Sequence, residues 1–231
     1  LHGIVHQVLL ENHEKLGTQK ALQVHQHLNL VMQKTFEGQA LDIGWVEKEV
    51  FPNRVQYQQM IVRKTGWYSG RGPCQCGALI AGKEGGLFES LGDFGESLGI
   101  GFQIRDDILN LTESLESNAA EAQVGGFGKE QGGDFAEGKR TLITIEMLER
   151  LNPEEQNCLQ SILLKSRTEV TKEEIIWAVE QSERCGALDA ARSEAQNHAF
   201  RASSELSKMP QGSPRKILEA LLGFLAEDRK V

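Results

Sequence analysis

The chain has 231 residues, 39% hydrophobic and 25% charged, enough for one domain with a full-sized core and in keeping with a soluble globular protein. Only 5 prolines argue against a proline-rich linker, and 24 clustered glycines exclude collagen-like order. A formal net charge of -8 excludes a general nucleic-acid binder, because a phosphate backbone demands a basic surface; a small phosphorylated ligand held through local lysines or a carboxylate-bound divalent cation stays open.

Taken in chain order, nearly every segment reads as helix. Ile4, Val5, Val8, Leu9 and Leu16 recur at helical spacing over residues 1–16, and Gly17 is a natural stop. Thr18 opens a long helix to about Glu49, ended by Pro52 and Asn53. A further helix runs from about Val55 through the glycine-rich stretch Gly66–Gly77, with Leu79 and Ile80 further on. After the turn at Gly82, Gly85 and Gly86, a helix spans about Leu87 to Leu111. Residues 112–133, polar and glycine-rich, read as a long loop or flap, a length that in compact domains often serves function. Shorter helices follow over 139–151, 153–166, 171–186, 187–208 and 214–228. No segment sustains strand alternation, no repeat or domain boundary is visible, and the expected architecture is a single-domain all-α bundle. No apolar run approaches the roughly 20 residues of a membrane span, and no signal segment opens the chain.

The four cysteines, Cys74, Cys76, Cys158 and Cys185, lack zinc spacing and read as free buried thiols in a reducing cytosol. The six histidines form no ligand-spaced pair and read as surface or packing residues.

Four segments carry chemistry. In Phe102-Gln103-Ile104-Arg105-Asp106-Asp107-Ile108-Leu109-Asn110-Leu111, helical spacing puts Gln103, Asp106, Asp107 and Asn110 on one face. Ile100, Ile104, Ile108 and Leu111 form an apolar face on the same helix. Adjacent carboxylates repel unless a cation or water compensates, and a hard cation such as Mg2+ wants carboxylate and phosphate oxygens. A solvated acidic stripe is the alternative, and the apolar flanks favour burial beside a cavity. The second segment runs from Gly125 through Lys129 to Asp134, then Glu137-Gly138-Lys139-Arg140-Thr141. Its glycines permit close backbone approach and its lysines suit phosphate, although capping at a helix start explains Asp134 to Thr141 equally well. The third, Lys64-Thr65-Gly66, is either a surface lysine or one aimed into a cavity. The fourth places Gln39 and Asp42 one turn apart on one helix face, which is also how an exposed polar stripe looks.

In this order and at these separations, Gly38-Gln39-x-x-Asp42, Lys64-Thr65-Gly66, Phe102-Gln103-Ile104-x-Asp106-Asp107 and Gly128-Lys129 with Glu137-Gly138-Lys139-Arg140-Thr141 resemble the landmarks of the trans-prenyl diphosphate synthases. The Arg105-Asp106-Asp107-x-x-Asn110-Leu111 wording looks most like geranylgeranyl diphosphate synthases of archaeal type. The resemblance spans the whole chain. It implies an isoprenoid-synthase-type helical bundle around a central cavity, with residues 1–231 forming the C-terminal two-thirds of the domain.

The chemistry implied is Mg2+-assisted ionisation of an allylic diphosphate, attack by the double bond of isopentenyl diphosphate, and loss of a proton. By resemblance Asp106 would bind Mg2+ with Asp107 supporting it. Lys64, Lys129 and Lys139 would contact the diphosphate. Thr65 and Gln103 would line the site and help steer proton loss, and Gln39 and Asp42 would face the cavity. The family also implies a cytoplasmic homodimer, or a hetero-oligomer with a related subunit.

The sequence departs from the family twice. Asn110 stands where many members have a third aspartate, and asparagine is a poorer Mg2+ ligand. The first aspartate-rich motif, DDxxD, and the isopentenyl-diphosphate site that precedes it are absent from these 231 residues. Two alternatives therefore stand beside the enzyme: a non-catalytic or partner-dependent subunit of a heteromeric prenyl synthase, and, against the Gly-Lys-Arg-Thr wording, a terpene cyclase.

Overall fold

The computed structural model describes residues 2–112 and 132–226. Among the described residues there is no strand. The helices are α1 His2–Glu11, α2 His13–Leu16, α3 Thr18–Glu47, α4 Arg54–Ile61, a π-helical segment Val62–Arg71, α5 Gly72–Ile80, α6 Gly86–Thr112, α7 Gly133–Ala136, α8 Leu142–Arg150, α9 Pro153–Leu163, α10 Lys172–Arg184, α11 Ala187–Ser207 and α12 Ser213–Ala226. No helix among them is long and apolar enough to cross a membrane.

Local chemistry sets the ends of these helices. Gly17 closes α2 at φ 81° and Gly186 follows α10 at φ 75°, conformations that cost a residue with a Cβ. Asn152 with Glu155 and Thr171 with Glu174 form reciprocal capping boxes at the starts of α9 and α10. Asn53 and Gln56 make the same exchange before α4, both bonds at 2.9 Å. The helix expected from residue 139 begins instead at Leu142, because Thr141 is its N-cap and accepts from the Thr144 amide.

The chain divides into two compact units, both built from helices alone among the described residues. Unit one comprises residues 1–39, 60–101 and 197–231; unit two comprises residues 40–59 and 102–196. Each division falls inside a helix (α3, α4, α6 and α11), so no change of composition announces it.

In unit one, Phe94, Ala202, Leu206 and Met209 form a buried cluster with Leu91, Leu98 and Leu218 packed against it. Each fully buried Phe or Leu stabilises the fold by roughly 1.5–3 kcal/mol. In unit two, Ile104, Ile108 and Leu111 of α6 are buried, as are Phe135, Met147, Leu159 and Ile162. The apolar face read from the sequence is therefore the packed face. All four cysteines are free, but none is fully buried and Cys158 is exposed.

Candidate active site

In unit two the paired aspartates lie in the last turns of α6. Asp107 is only 8% exposed, and the Gln103 side-chain amide, one turn back, donates to its Oδ1 at 3.0 Å. Burial pushes the Asp107 carboxyl up to about 8; the charges of Asp134 and Asp106 add to the rise, while the Gln103 bond and Lys139 oppose it. Asp107 and Asp134 line a narrow crevice with Leu111, Phe135, Thr141 and Thr144. Lys139 reaches back to Asp134 Oδ1 at 2.5 Å and to Glu137 Oε2 at 3.2 Å. Burial works against the Lys139 ammonium, yet these two carboxylates hold its pKa above the ordinary lysine value.

The neighbours of this crevice are fixed by buried polar groups. Arg140 is 2% exposed, lies over the Phe51 ring at 4.2 Å and donates to the carbonyls of Val50 at 3.0 Å, Gly138 at 2.5 Å and Leu163 at 3.4 Å. It thus ties three backbone stretches together just after Lys139. Tyr57 on α4 is also buried, and its phenol is held neutral by burial first and then by the charges of Asp107, Asp42 and Glu194. That shared influence places Asp42 in the same electrostatic neighbourhood as Asp107.

In unit one, Lys64 and Thr65 sit in the π-helical segment. The helix does run through the glycine-rich stretch, but rewound, with the Gly72 amide bonding the Trp67 carbonyl five residues back. Such π windings are rare and frequent at functional sites. Missing side chains explain how this one packs. A Cβ on Gly70 would lie 1.8 Å from the Gly95 carbonyl oxygen, and one on Gly38 would lie 2.3 Å from the Lys64 amide nitrogen. Gly38 of the Gly-Gln-x-x-Asp motif therefore exists to let α3 meet the backbone of Lys64. Gln39, the next residue, is half-buried on α3, and Thr65 is buried, its carbonyl accepting from Ser69 Oγ at 2.6 Å.

Unit two thus gathers Asp106, Asp107, Gln103, Asp42 and Lys139, while Gln39, Lys64 and Thr65 belong to unit one. Lys129 lies outside the described residues. Tyr57 carries no motif signal, and Asp134, although it ends the glycine-rich segment singled out in the sequence, takes no site role from that reading; only the tertiary fold brings them to Asp107. Asn110, read as a weak stand-in for a metal-binding aspartate, spends its side-chain oxygen on the Asp134 amide at 3.1 Å.

The oxygen-rich set at Asp106, Asp107 and Asp134 suits a hard cation. Among the described residues no three His, Cys, Asp or Glu side chains form a self-sufficient metal cluster. A Mg2+ ion needs no such cluster, since it takes one or two carboxylates and completes its shell with phosphate oxygens and water. Burial is the first cause of the elevated Asp107 pKa, and the charges of Asp134 and Asp106, which a cation would relieve, add to it.

Comparison with known proteins agrees with this geometry. A family model described as polyprenyl synthetase matches residues 4–180. A short chain isoprenyl diphosphate synthase of Methanothermobacter thermautotrophicus is 32% identical over 194 residues, which is 84% of this chain and 55% of that protein. The crystal structure of a geranylgeranyl pyrophosphate synthetase from Pyrococcus horikoshii superposes with a TM-score of 0.79 at 27% identity, covering 92% of this chain and 60% of that one. A polyprenyl synthase from Caulobacter crescentus, complexed with calcium and isoprenyl diphosphate, gives a TM-score of 0.74 at 28% identity over 88% of this chain and 58% of that one. The chain spans about half the length of the curated relatives it matches. With the family model matched over most of its residues, this chain belongs to the polyprenyl synthetase family.

Proposed function

We propose that the chain carries the part of a prenyltransferase site that grips an allylic diphosphate, and that the full-length protein condenses this primer with isopentenyl diphosphate to a geranylgeranyl-type product. The observation that carries the reading is the buried, charge-crowded Asp107, set beside Asp106 and Asp134 with Lys139 adjoining. Carboxylates so placed destabilise the protein unless they hold a cation, and an isoprenyl diphosphate with calcium accompanies the Caulobacter relative of similar fold.

In this reading Asp106 and Asp107 hold Mg2+. When bound, Mg2+ would neutralise charge developing on the leaving diphosphate. Gln103 orients the Asp107 carboxylate through its 3.0 Å bond. Lys139 binds the diphosphate as a point charge, exchanging part of its contact with Asp134 for a phosphate oxygen, and the family resemblance implies the same role for Lys64 and Lys129. Gln103 lines the allylic end and steers loss of the proton once the new carbon–carbon bond has formed, a role the family resemblance also implies for Thr65. Asp42 of unit two faces the same substrate, a role the family resemblance also implies for Gln39.

The test is prenyl transfer by the full-length protein with and without Mg2+. Asp106→Ala is expected to lower kcat/KM by about a hundredfold or more, as loss of a group that holds a catalytic metal does. A loss of less than about tenfold rejects the site assignment.

A further inference from the structure

Helix α7 has Gly132 as its N-cap, whose left-handed backbone (φ 72°, ψ 15°) and missing side chain leave the first turn without a side-chain cap of its own. An N-cap side chain ordinarily accepts from the second or third amide of the helix. Here that acceptor comes from elsewhere in the chain, since Asn110 Oδ1 accepts from the Asp134 amide at 3.1 Å. The main-chain carbonyl of Asn110, one of the last four of α6 and so without a partner inside that helix, accepts from the Gly132 amide at 2.8 Å. A backbone amide can only donate, so the side-chain oxygen of Asn110, not its nitrogen, must face Asp134. The links continue beyond Asp134, whose carbonyl accepts from the Lys139 amide at 2.9 Å and whose carboxylate holds the Lys139 ammonium at 2.5 Å.

We propose that Asn110 is a positioning residue for the diphosphate site, a helix cap supplied from α6 that sets Asp134, and through it Lys139, against Asp107. It is not a weakened metal ligand. A neutral amide does this without adding another carboxylate beside Asp106, Asp107 and Asp134, where each further charge makes the apo site costlier. The inference rests on the diphosphate reading of the site for its functional half and on hydrogen bonding alone for its structural half.

The experiment uses the full-length protein with Asn110→Asp, which keeps the acceptor, and with Asn110→Ala and Asn110→Leu, which remove it. Two readouts are taken on each folded variant: hydrogen exchange at the Asp134 amide, and the dissociation constant of inorganic pyrophosphate at fixed Mg2+. Loss of one such bond corresponds to about a fivefold to tenfold change. Asn110→Ala and Asn110→Leu are therefore expected to speed Asp134 exchange and weaken pyrophosphate binding by about that factor, while Asn110→Asp keeps the slow exchange and most of the affinity. If Asn110→Asp loses as much as Asn110→Ala, or if Asn110→Ala weakens Mg2+-dependent binding with Asp134 exchange unchanged, the proposal is overturned. Failure of the wild-type protein to bind pyrophosphate, with Asp134 exchange still slow, overturns the diphosphate reading and with it the functional half. Fast Asp134 exchange in the wild type overturns the cap itself.

Discussion

The two units place their functional groups by opposite means. In unit one, Lys64 and Thr65 are positioned by what is missing: Gly38, Gly70 and Gly95 let backbone meet backbone, and the π winding follows. In unit two, Asp107, Asp134 and Lys139 are positioned by what is present: polar side chains that find partners at each step. The first device admits almost no substitution at the contact. The second spreads its sensitivity over several side chains and makes it depend on pH.

The comparison breaks most sharply at Gly70→Ala. The added Cβ would meet a main-chain oxygen at 1.8 Å, and neither backbone can rotate away as a side chain could. Forcing the two helical segments apart is expected to cost about 3 kcal/mol or more, the upper end of overpacking penalties, read as a shift in urea midpoint. A midpoint unchanged within error would mean that the close approach does not govern unit one.

The matching cut in unit two is Arg140→Leu. It leaves the carbonyls of Val50, Gly138 and Leu163 without their donor in a buried setting. The expected loss is about 2–3 kcal/mol, smaller than at Gly70 because the Leu fills part of the volume and water can reach some of the freed carbonyls. It should also weaken Mg2+-dependent pyrophosphate binding, since Lys139 is the preceding residue. Loss of stability with pyrophosphate affinity intact would separate the buried guanidinium from the site.

How far the sequence reveals each unit follows from the same contrast. Helix ends are legible because caps are local: Thr171 with Glu174 and Asn152 with Glu155 announce α10 and α9 within four residues. The apolar face of Ile104, Ile108 and Leu111 is legible because helical period and burial agree. The π winding is not, because no local spacing marks it, and the backbone that Gly70 packs against, at Gly95, lies 25 residues away. Nor is the membership of Asp134 and Tyr57 in the site, since neither lies in the motif that contains Asp107. Helix α7 is a single turn, too short for any periodicity, and the unit divisions hide inside continuous helices.

Per pH unit, the pH dependence of unit two is smaller than either the Gly70→Ala or the Arg140→Leu loss. In the metal-free protein Asp107 keeps its proton up to about pH 8, whereas in the unfolded chain it gives it up near the ordinary value of 3.8. Between those values the folded state holds one more proton than the unfolded state. Asp107's contribution to stability is therefore greatest at the acid end, declines as pH rises toward 8, and levels off above it. The slope is at most about 1.4 kcal/mol per pH unit. Asp107→Asn should flatten this decline and raise the melting temperature at pH 8 in metal-free buffer. An unchanged slope in the variant would place the titration on another group and remove the electrostatic account of unit two.

The smallest expected effect sharpens the claim about glycines in unit one. Gly77 lies on the exposed side of α5, and a Cβ built there meets nothing within 4 Å. If glycine served this unit only by loosening its helices, Gly77→Ala and Gly70→Ala would change stability in the same direction. If glycine serves by contact, the two must differ in sign, because at Gly77 the methyl group only restricts the unfolded chain and favours the helix. The expected gain is about 0.5–1 kcal/mol, measured in the same urea titration as the Gly70→Ala loss. A Gly77→Ala protein less stable than its parent would mean that α5 needs flexibility at this point, and the contrast between contact and conformational freedom in unit one would fall.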